Sequence, residues 1–263
     1  MSYFPILSSP YCIGRTTLHN FSPNNWETFD RKKKFVNLTY SKDGFWTSKL
    51  IDELQYGKSK IIDFVEISSL MSHDTLPLLS LTKEPLPETS KVLPELSPNL
   101  CSYPMHRATL ELVSKSSTTS YQGEINPFPI KASMLSFSPF LQFGKDFENF
   151  VLLMNLEKNA SSRSVDLEVY DVSSRSLKKT QKVFNNQLNI VSLNEIDFNS
   201  QNLPVLVCRD MSFIPLYFSS FRRGNSMSME HTHPPASFVI HGERFKIQKN
   251  LKDYWFSILD RKC

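Results

Sequence analysis

Apolar and polar residues alternate in short runs through most of the sequence after residue 105. A period of two places every second side chain on one face of a β-strand. The runs are rich in β-branched and aromatic residues, and clusters of Asn, Ser, Asp, Gly or Pro separate them. The predicted strands are residues 108–113, 120–125, 132–143, 149–156, 165–170, 188–193, 205–208, 214–218 and 237–241. This series predicts an antiparallel β-sandwich or jelly-roll-like domain over residues 105–263.

A hairpin and a helix complete this predicted domain. The segment Arg222-Arg223-Gly224-Asn225 separates two β-type runs, and Gly-Asn readily accepts the positive φ that a hairpin turn requires. Residues 243–260 repeat apolar side chains at helical spacing, which predicts a C-terminal helix. Its apolar stripe is expected to pack on the sheet or on another subunit. The stripe consists of Ile247, Leu251, Tyr254, Trp255, Ile258 and Leu259.

The first 104 residues have no clear period and predict an irregular N-terminal segment that packs on the rest of the chain. Residues 47–54 predict one short helix, because Thr47 or Ser48 can cap it and Leu50, Ile51 and Leu54 share a helical face. Residues 60–67 predict a strand.

A proline-rich arm at residues 75–104 ends this segment. Six prolines and no glycine fall in the arm, and proline removes a backbone donor and fixes φ. Neither a helix nor a central strand is therefore expected there. Regularly spaced leucines predict an extended chain that packs in a groove or wraps around the β-domain.

Composition excludes several classes of protein. A hydrophobic fraction of 40% and a charged fraction of 21% are typical of globular proteins. The net charge of +4 comes largely from one run at 31–34 (RKKK), without zinc-finger spacing or an RNA-recognition signature, so no nucleic-acid partner is expected. The sequence has no membrane-length apolar stretch and no signal-like start, so the expected location is cytoplasmic. Four widely spaced cysteines predict free thiols: Cys12, Cys101, Cys208 and Cys263.

The histidines near the C-terminus carry the most specific chemistry. His231 and His233 form an H-x-H pair after Glu230, and alternate strand residues share one face. His241 or an acid could supply a third ligand. Imidazoles with a carboxylate suit a divalent transition metal such as Zn, Fe, Ni or Mn. The alternatives are structural histidines that bind the backbone, and a metal-free acid–base or ligand contact.

The same segment is similar to the metal-binding strand of the cupin family, in which G-x5-H-x-H is followed within a few residues by Glu. Gly224 lies one residue too far from His231, and Pro234 and Pro235 occupy the place of that Glu. The second, glycine-rich cupin motif is missing. The resemblance therefore covers about ten of the 263 residues and lacks the carboxylate ligand of the family motif.

A second group of polar residues marks the start of the β-domain. Arg107, Glu111, Tyr121 and Glu124 lie on two runs that are expected to pair as neighbouring strands. Arginine can bind a carboxylate or sugar through paired hydrogen bonds, and an aromatic ring can stack beside it. The alternative is a cross-strand ion pair without a ligand.

Two hypotheses about function follow. With 7 glycines the chain has no dinucleotide-binding motif, no phosphate-binding loop and no nucleophile elbow. The first hypothesis is a non-catalytic binding or assembly protein that presents a β-sandwich surface to a partner chain or a glycan; it predicts an exposed apolar patch or an incompletely covered sheet face. The alternative is a metal-dependent enzyme or metal-binding protein that uses Glu230, His231, His233 and His241. Either hypothesis allows a homo-oligomer.

Overall fold

The computed structural model describes residues 3–21, 32–71, 75–96, 108–130, 132–138, 141–199, 201–231 and 243–260. The fold is mainly β, with 51% strand against 8% helix, and this confirms the predicted class. Every pairing between the described strands is antiparallel. Among these residues, neither helix has the length and apolar character needed to span a membrane.

The elements follow one another along the described chain as a long series of short strands with two helices. In chain order they are β1 (Phe4–Pro5), β2 (Ile13–His19), β3 (Lys34–Lys42), β4 (Phe45–Leu54), β5 (Ser59–Asp63), α1 (Phe64–Ser68), β6 (Leu78–Thr82), β7 (Thr89–Ser90), β8 (Ala108–Val113), β9 (Thr118–Gln122), β10 (Met134–Phe137), β11 (Phe147–Met154), β12 (Ser164–Asp171), β13 (Leu177–Phe184), β14 (Leu188–Ser192), β15 (Pro204–Cys208), β16 (Ile214–Phe221), β17 (Ser226–His231) and α2 (Glu243–Leu259).

These strands form four sheets in the described part of the chain. Sheet I has the order β1-β6-β3-β4-β7, and sheet II has the order β5-β2-β8-β9. Sheet III has the order β14-β11-β16-β17, and sheet IV has the order β10-β15-β12-β13. Sheet II combines strands from before residue 97 with strands from after residue 107, so β2 is hydrogen-bonded to β8.

The hydrophobic core lies between successive sheets. Sheets I and II enclose one cluster, which includes Leu18 and Leu38. Sheet III buries both of its faces, because Leu152 points to a cluster shared with sheets I and II while Leu153 points to a cluster shared with sheet IV. The arrangement is a propeller-like succession of four sheets and differs from the two-sheet sandwich or jelly roll that was predicted for residues 105–263.

The predicted helix at residues 47–54 is wrong, because these residues belong to β4. A register shift in the β3–β4 pairing aligns Asn37 with Leu50 and Val36 with Asp52, which leaves Ile51 as an extra residue. Such a β-bulge interrupts the period of two, and the apolar residues then fall at a spacing that resembles a helix. The short helix of this region is instead α1, which follows directly after β5.

The proline-rich arm contains a strand in the middle of sheet I. β6 lies between β1 and β3, so the prediction that no central strand occurs there is wrong for Leu78–Thr82. Pro77 and Pro85 flank this strand, and all five of its residues retain a backbone donor. The described residues before 97 are therefore not irregular, since they supply strands to sheets I and II.

The C-terminal helix is confirmed as α2, and it packs on the outer face of sheet IV. The Trp255 ring meets the Phe137 ring edge-on at 5.1 Å, and Leu259 joins the cluster of Tyr170 and Val207. Arg209 lies over the Phe256 ring and pairs with Asp260 at 2.8 Å. The packing prediction holds for the last two turns, whereas three earlier stripe residues are more than half exposed: Ile247, Leu251 and Tyr254.

Candidate functional site

The predicted histidine site begins on β17, the edge strand of sheet III. The backbone of Glu230 pairs with Tyr217, and that of His231 pairs with Leu216. Glu230 is exposed, on the opposite face of the strand from Met229, which packs on the core. His233 and His241 lie outside the described residues. Within the described ranges, no three His, Cys, Asp or Glu side chains come close enough to hold a metal ion, and the metal site stays a prediction.

The second predicted group falls on β8 and β9, which pair as expected. Leu110 pairs with Tyr121, so Tyr121 faces the core, and burial together with the charge of Glu124 raises the pKa of its phenol. Glu111 pairs with Ser120 on the opposite face of the sheet. Glu124 is exposed just beyond β9. The sheet therefore puts Tyr121 on the opposite face from Glu111, with the charge of Glu124 acting on its phenol. Arg107 lies outside the described residues.

Glu111 belongs to what we call the outer face of sheet II. Alternation along the strands buries Thr16, Leu18, Ile62 and Leu110 on the inner face and leaves their neighbours on the other side. The outer face includes Ile13, Arg15, Thr17, His19, Ser59, Ile61, Asp63, Thr109, Glu111, Val113, Thr118 and Ser120.

A row of charged residues crosses the centre of this face. Arg15 pairs in register with Asp63 on one side and with Glu111 on the other. The Arg15 Nε atom donates a hydrogen bond to Asp63 Oδ1 at 2.8 Å. This hydrogen bond and the charge of Asp63 raise the pKa of the guanidinium, and Glu111 adds to the effect. Arg15 thus remains a fixed cation between two carboxylates.

Apolar side chains stand on either side of that row. Ile61 is 51% exposed and Ile13 is 49% exposed, and Ile13 pairs with Val113. None of these three side chains joins a hydrophobic cluster of the described residues. At the far edge, the His19 Nδ1 atom lies 2.7 Å from Ser59 Oγ. The face thus combines hydrogen-bonding groups with apolar side chains that the described core does not cover.

The sequence pattern points to Glu111 but gives no signal for Arg15. The buried positions of β2 are Gly14, Thr16 and Leu18, whereas Ile13 is half exposed. A strand with small or polar residues on its buried face does not show the apolar alternation that marks a strand. Only the register of β2 on β8 brings the arginine beside Glu111.

Comparison of the chain with protein-family models, with curated proteins and with solved structures gave no match.

Proposed function

We propose that the protein is a non-catalytic binding protein that presents the outer face of sheet II to a partner chain. Sheets I and II pack on a shared core, which supports this face from behind. The observation that carries the proposal is the pair of half-exposed isoleucines on an ordered sheet, on either side of the Asp63–Arg15–Glu111 row. Exposed apolar side chains around a central arginine are the combination that interaction surfaces favour.

The chemistry of the face favours a protein partner over a glycan. Arginine is enriched where interfaces gain most of their binding energy, since its planar guanidinium binds carboxylates and carbonyls through several donors. The isoleucines and Val113 can bury apolar area around it. None of the residues named for the outer face is Phe, Tyr or Trp. Phe21 is 49% exposed, but its ring lies against His19 at the edge of the face, 6.1 Å between centroids, and not beside the Arg15 row.

The proposal is tested with the full-length protein and a variant that disrupts the face. Ile13→Lys/Ile61→Lys places two charges in the apolar part of the surface, and Leu177→Lys changes an equally exposed side chain on β13 as a control. Immobilised wild type and control are expected to retain the same partner chain from cells of the source organism, and the double variant is expected to lose it. Melting temperatures establish that all three proteins fold.

A second copy of the chain also qualifies as a partner, so sedimentation of the purified protein accompanies the capture experiment. A dimer that the double variant dissociates supports the proposal, with the second copy as the partner. Equal capture and equal self-association in wild type and double variant would contradict a role for this face.

A further inference from the structure

The turn between β16 and β17 holds two consecutive arginines in the left-handed backbone region. The φ angles are 45° at Arg222, 55° at Arg223 and 101° at Gly224. Most residues are strained in this region because their Cβ crowds the backbone. Asn adopts it at lower cost, and Gly, which has no Cβ, adopts it freely. The hairpin therefore places two guanidinium groups where the backbone conformation favours other residues.

The backbone of this turn is held from several directions. The Arg222 N–H donates to the carbonyl oxygen of Asp146 at 2.8 Å, and the Asn225 N–H donates to that of Phe221 at 3.0 Å. The carbonyl oxygen of Gly224 accepts a hydrogen bond from Ser114 Oγ at 2.5 Å. A Cβ at Gly224 would lie 3.2 Å from the Ser114 Cβ. The turn is thus fixed before any ligand arrives.

Beside the turn lies a cleft with a volume of about 350 Å³, which we call the hairpin cleft. Its lining consists of Lys145, Asp146, Glu148, Arg222 and Arg223. Three cations and two carboxylates give this lining a net charge of +1. The volume is at the lower end of the range of about 300–1,000 Å³ for ligand pockets, and the cleft is open to solvent on its outer side.

Internal ion pairs use only part of the arginines' hydrogen-bonding capacity. Arg222 Nη2 lies 3.7 Å from Asp146 Oδ2, and Arg223 Nε lies 3.5 Å from Glu148 Oε1. The two guanidinium-bearing side chains are 62% and 78% exposed. Because a guanidinium has five N–H donors in a planar fork, both groups can also receive an anion.

Tyr11 positions the carboxylate of Glu148. The Tyr11 hydroxyl donates a hydrogen bond to Glu148 Oε2. This hydrogen bond, together with burial, raises the pKa of the phenol, so Tyr11 remains a donor near neutral pH. The other carboxylate oxygen, Oε1, lies on the side of Arg223.

From this geometry we infer that the hairpin cleft binds an acidic saccharide. The carboxylate of a uronic acid matches the planar fork of Arg222 and Arg223, and the sugar hydroxyls donate to Asp146 and Glu148. A bare sulfate or phosphate offers the two carboxylates no comparable set of donors. An amino acid with a neutral side chain carries no net charge to balance the net positive charge of the lining. The site is separate from the outer face of sheet II and does not depend on the function proposed for that face.

Titration of the full-length protein tests the ligand class. The probes are D-glucuronate, D-galacturonate and a trimer of galacturonate, with D-glucose and inorganic sulfate as comparisons, all measured by calorimetry at low ionic strength. At least one acidic saccharide is expected to bind about ten-fold or more tightly than either comparison, since charge-assisted hydrogen bonds give most of the selectivity. Equal binding of sulfate or glucose, or no binding of any acidic saccharide, would overturn the inference.

Substitution of the arginines tests the site. In Arg222→Asn/Arg223→Asn the backbone keeps a residue that accepts left-handed φ, so the melting temperature is expected to stay the same or rise while affinity falls about ten-fold or more. Arg223→Lys keeps the charge without the planar fork and is expected to have intermediate affinity. Arg175→Asn is the matched control, because Arg175 has a φ of 55° in a different turn. Wild-type affinity in both cleft variants would exclude this site.

Discussion

Tyr217 on β16 donates a hydrogen bond from its hydroxyl to Ser136 Oγ on β10, at 2.7 Å, and both side chains are buried. The bond joins sheet III to sheet IV through an otherwise apolar cluster. Burial raises the pKa of the phenol well above its ordinary value, although the hydrogen bond to Ser136 opposes this shift. The hydroxyl therefore remains protonated and serves as a permanent donor between the two sheets.

Tyr217→Phe is expected to lower the free energy of unfolding by about 1–2 kcal/mol, because Ser136 loses its partner inside the protein. Urea denaturation measures the change, with Tyr254→Phe on the exposed side of α2 as the control. The double variant Tyr217→Phe/Ser136→Ala is expected to recover part of the loss, since it removes both polar groups. A cost in the double variant equal to the sum of the two single costs would contradict coupling between these hydroxyls.

Gly14 on β2 lies against the backbone of Leu7. A Cβ at this position would come within 1.3 Å of the Leu7 carbonyl oxygen, so the backbone would have to move. Gly14→Ala is expected to cost at least about 3 kcal/mol of stability or to prevent folding, as measured by thermal denaturation and soluble yield.

Gly44 provides the comparison for this prediction. Its φ is 77°, and a Cβ there would meet nothing within 4 Å. Gly44→Ala is expected to cost only about 1–2 kcal/mol from backbone strain, and Gly44→Asn less than that. If Gly14→Ala were no more damaging than Gly44→Ala, the close approach of β2 to Leu7 would be wrong.

The sequence reveals strands best where a buried face is apolar. β8, with Leu110 and Leu112 turned inward, follows this rule and was predicted at its observed bounds. β13 was missed because it is an edge strand whose outward positions carry Lys and Thr, and only Val183 is fully buried. β13 is recognisable as a strand only from its hydrogen bonds to β12. Its own sequence has no apolar alternation that would reveal it.

The candidate sites were also only partly predictable, because they combine residues that are distant in sequence. Glu111 could be placed on a strand surface from its own run, but Arg15 reaches it only through the register of two strands that are distant in sequence. The hairpin at 222–225 was predicted as a turn from Gly224 and Asn225, whereas the left-handed φ angles fall on Arg222, Arg223 and Gly224. The charged residues that face this turn belong to the start of β11 and the residues just before it. The cleft forms only where that segment meets the hairpin, so neither segment alone predicts it.

Cys208 on β15 gives a prediction for alkaline pH. Burial raises the pKa of its thiol from 9.0 to about 11, because the thiolate is poorly solvated in the core. The folded state therefore holds the proton more tightly than the unfolded state does. The resulting stabilisation is fully present below pH 9 and is lost as the pH rises from about 9 to 11, by up to about 2–3 kcal/mol.

The measurement compares wild type with Cys208→Ala by urea denaturation at several pH values between 8 and 11. Subtraction of the two curves removes the contributions of other titrating groups, so the difference in unfolding free energy is expected to shrink with rising pH. In the native protein the Cys208 thiol should resist alkylation at pH 8, and it should react after unfolding. A pH-independent difference would show that the thiol has no raised pKa.

A fragment that begins at residue 105 lacks the strands that cover β8 in the full chain. In the intact chain, β2 covers the edge of β8 through six paired positions from Ile13 to Leu18. The fragment lacks β2 and all of sheet I, so Leu110, Leu112 and Leu152 lose part of the cluster that buries them. A strand edge and an apolar face exposed together promote association between chains. The fragment is therefore expected to aggregate, whereas the full chain is expected to melt cooperatively, and light scattering with thermal denaturation distinguishes the two. A soluble fragment with an unchanged melting transition would mean that residues 105–263 fold without the strands that precede them.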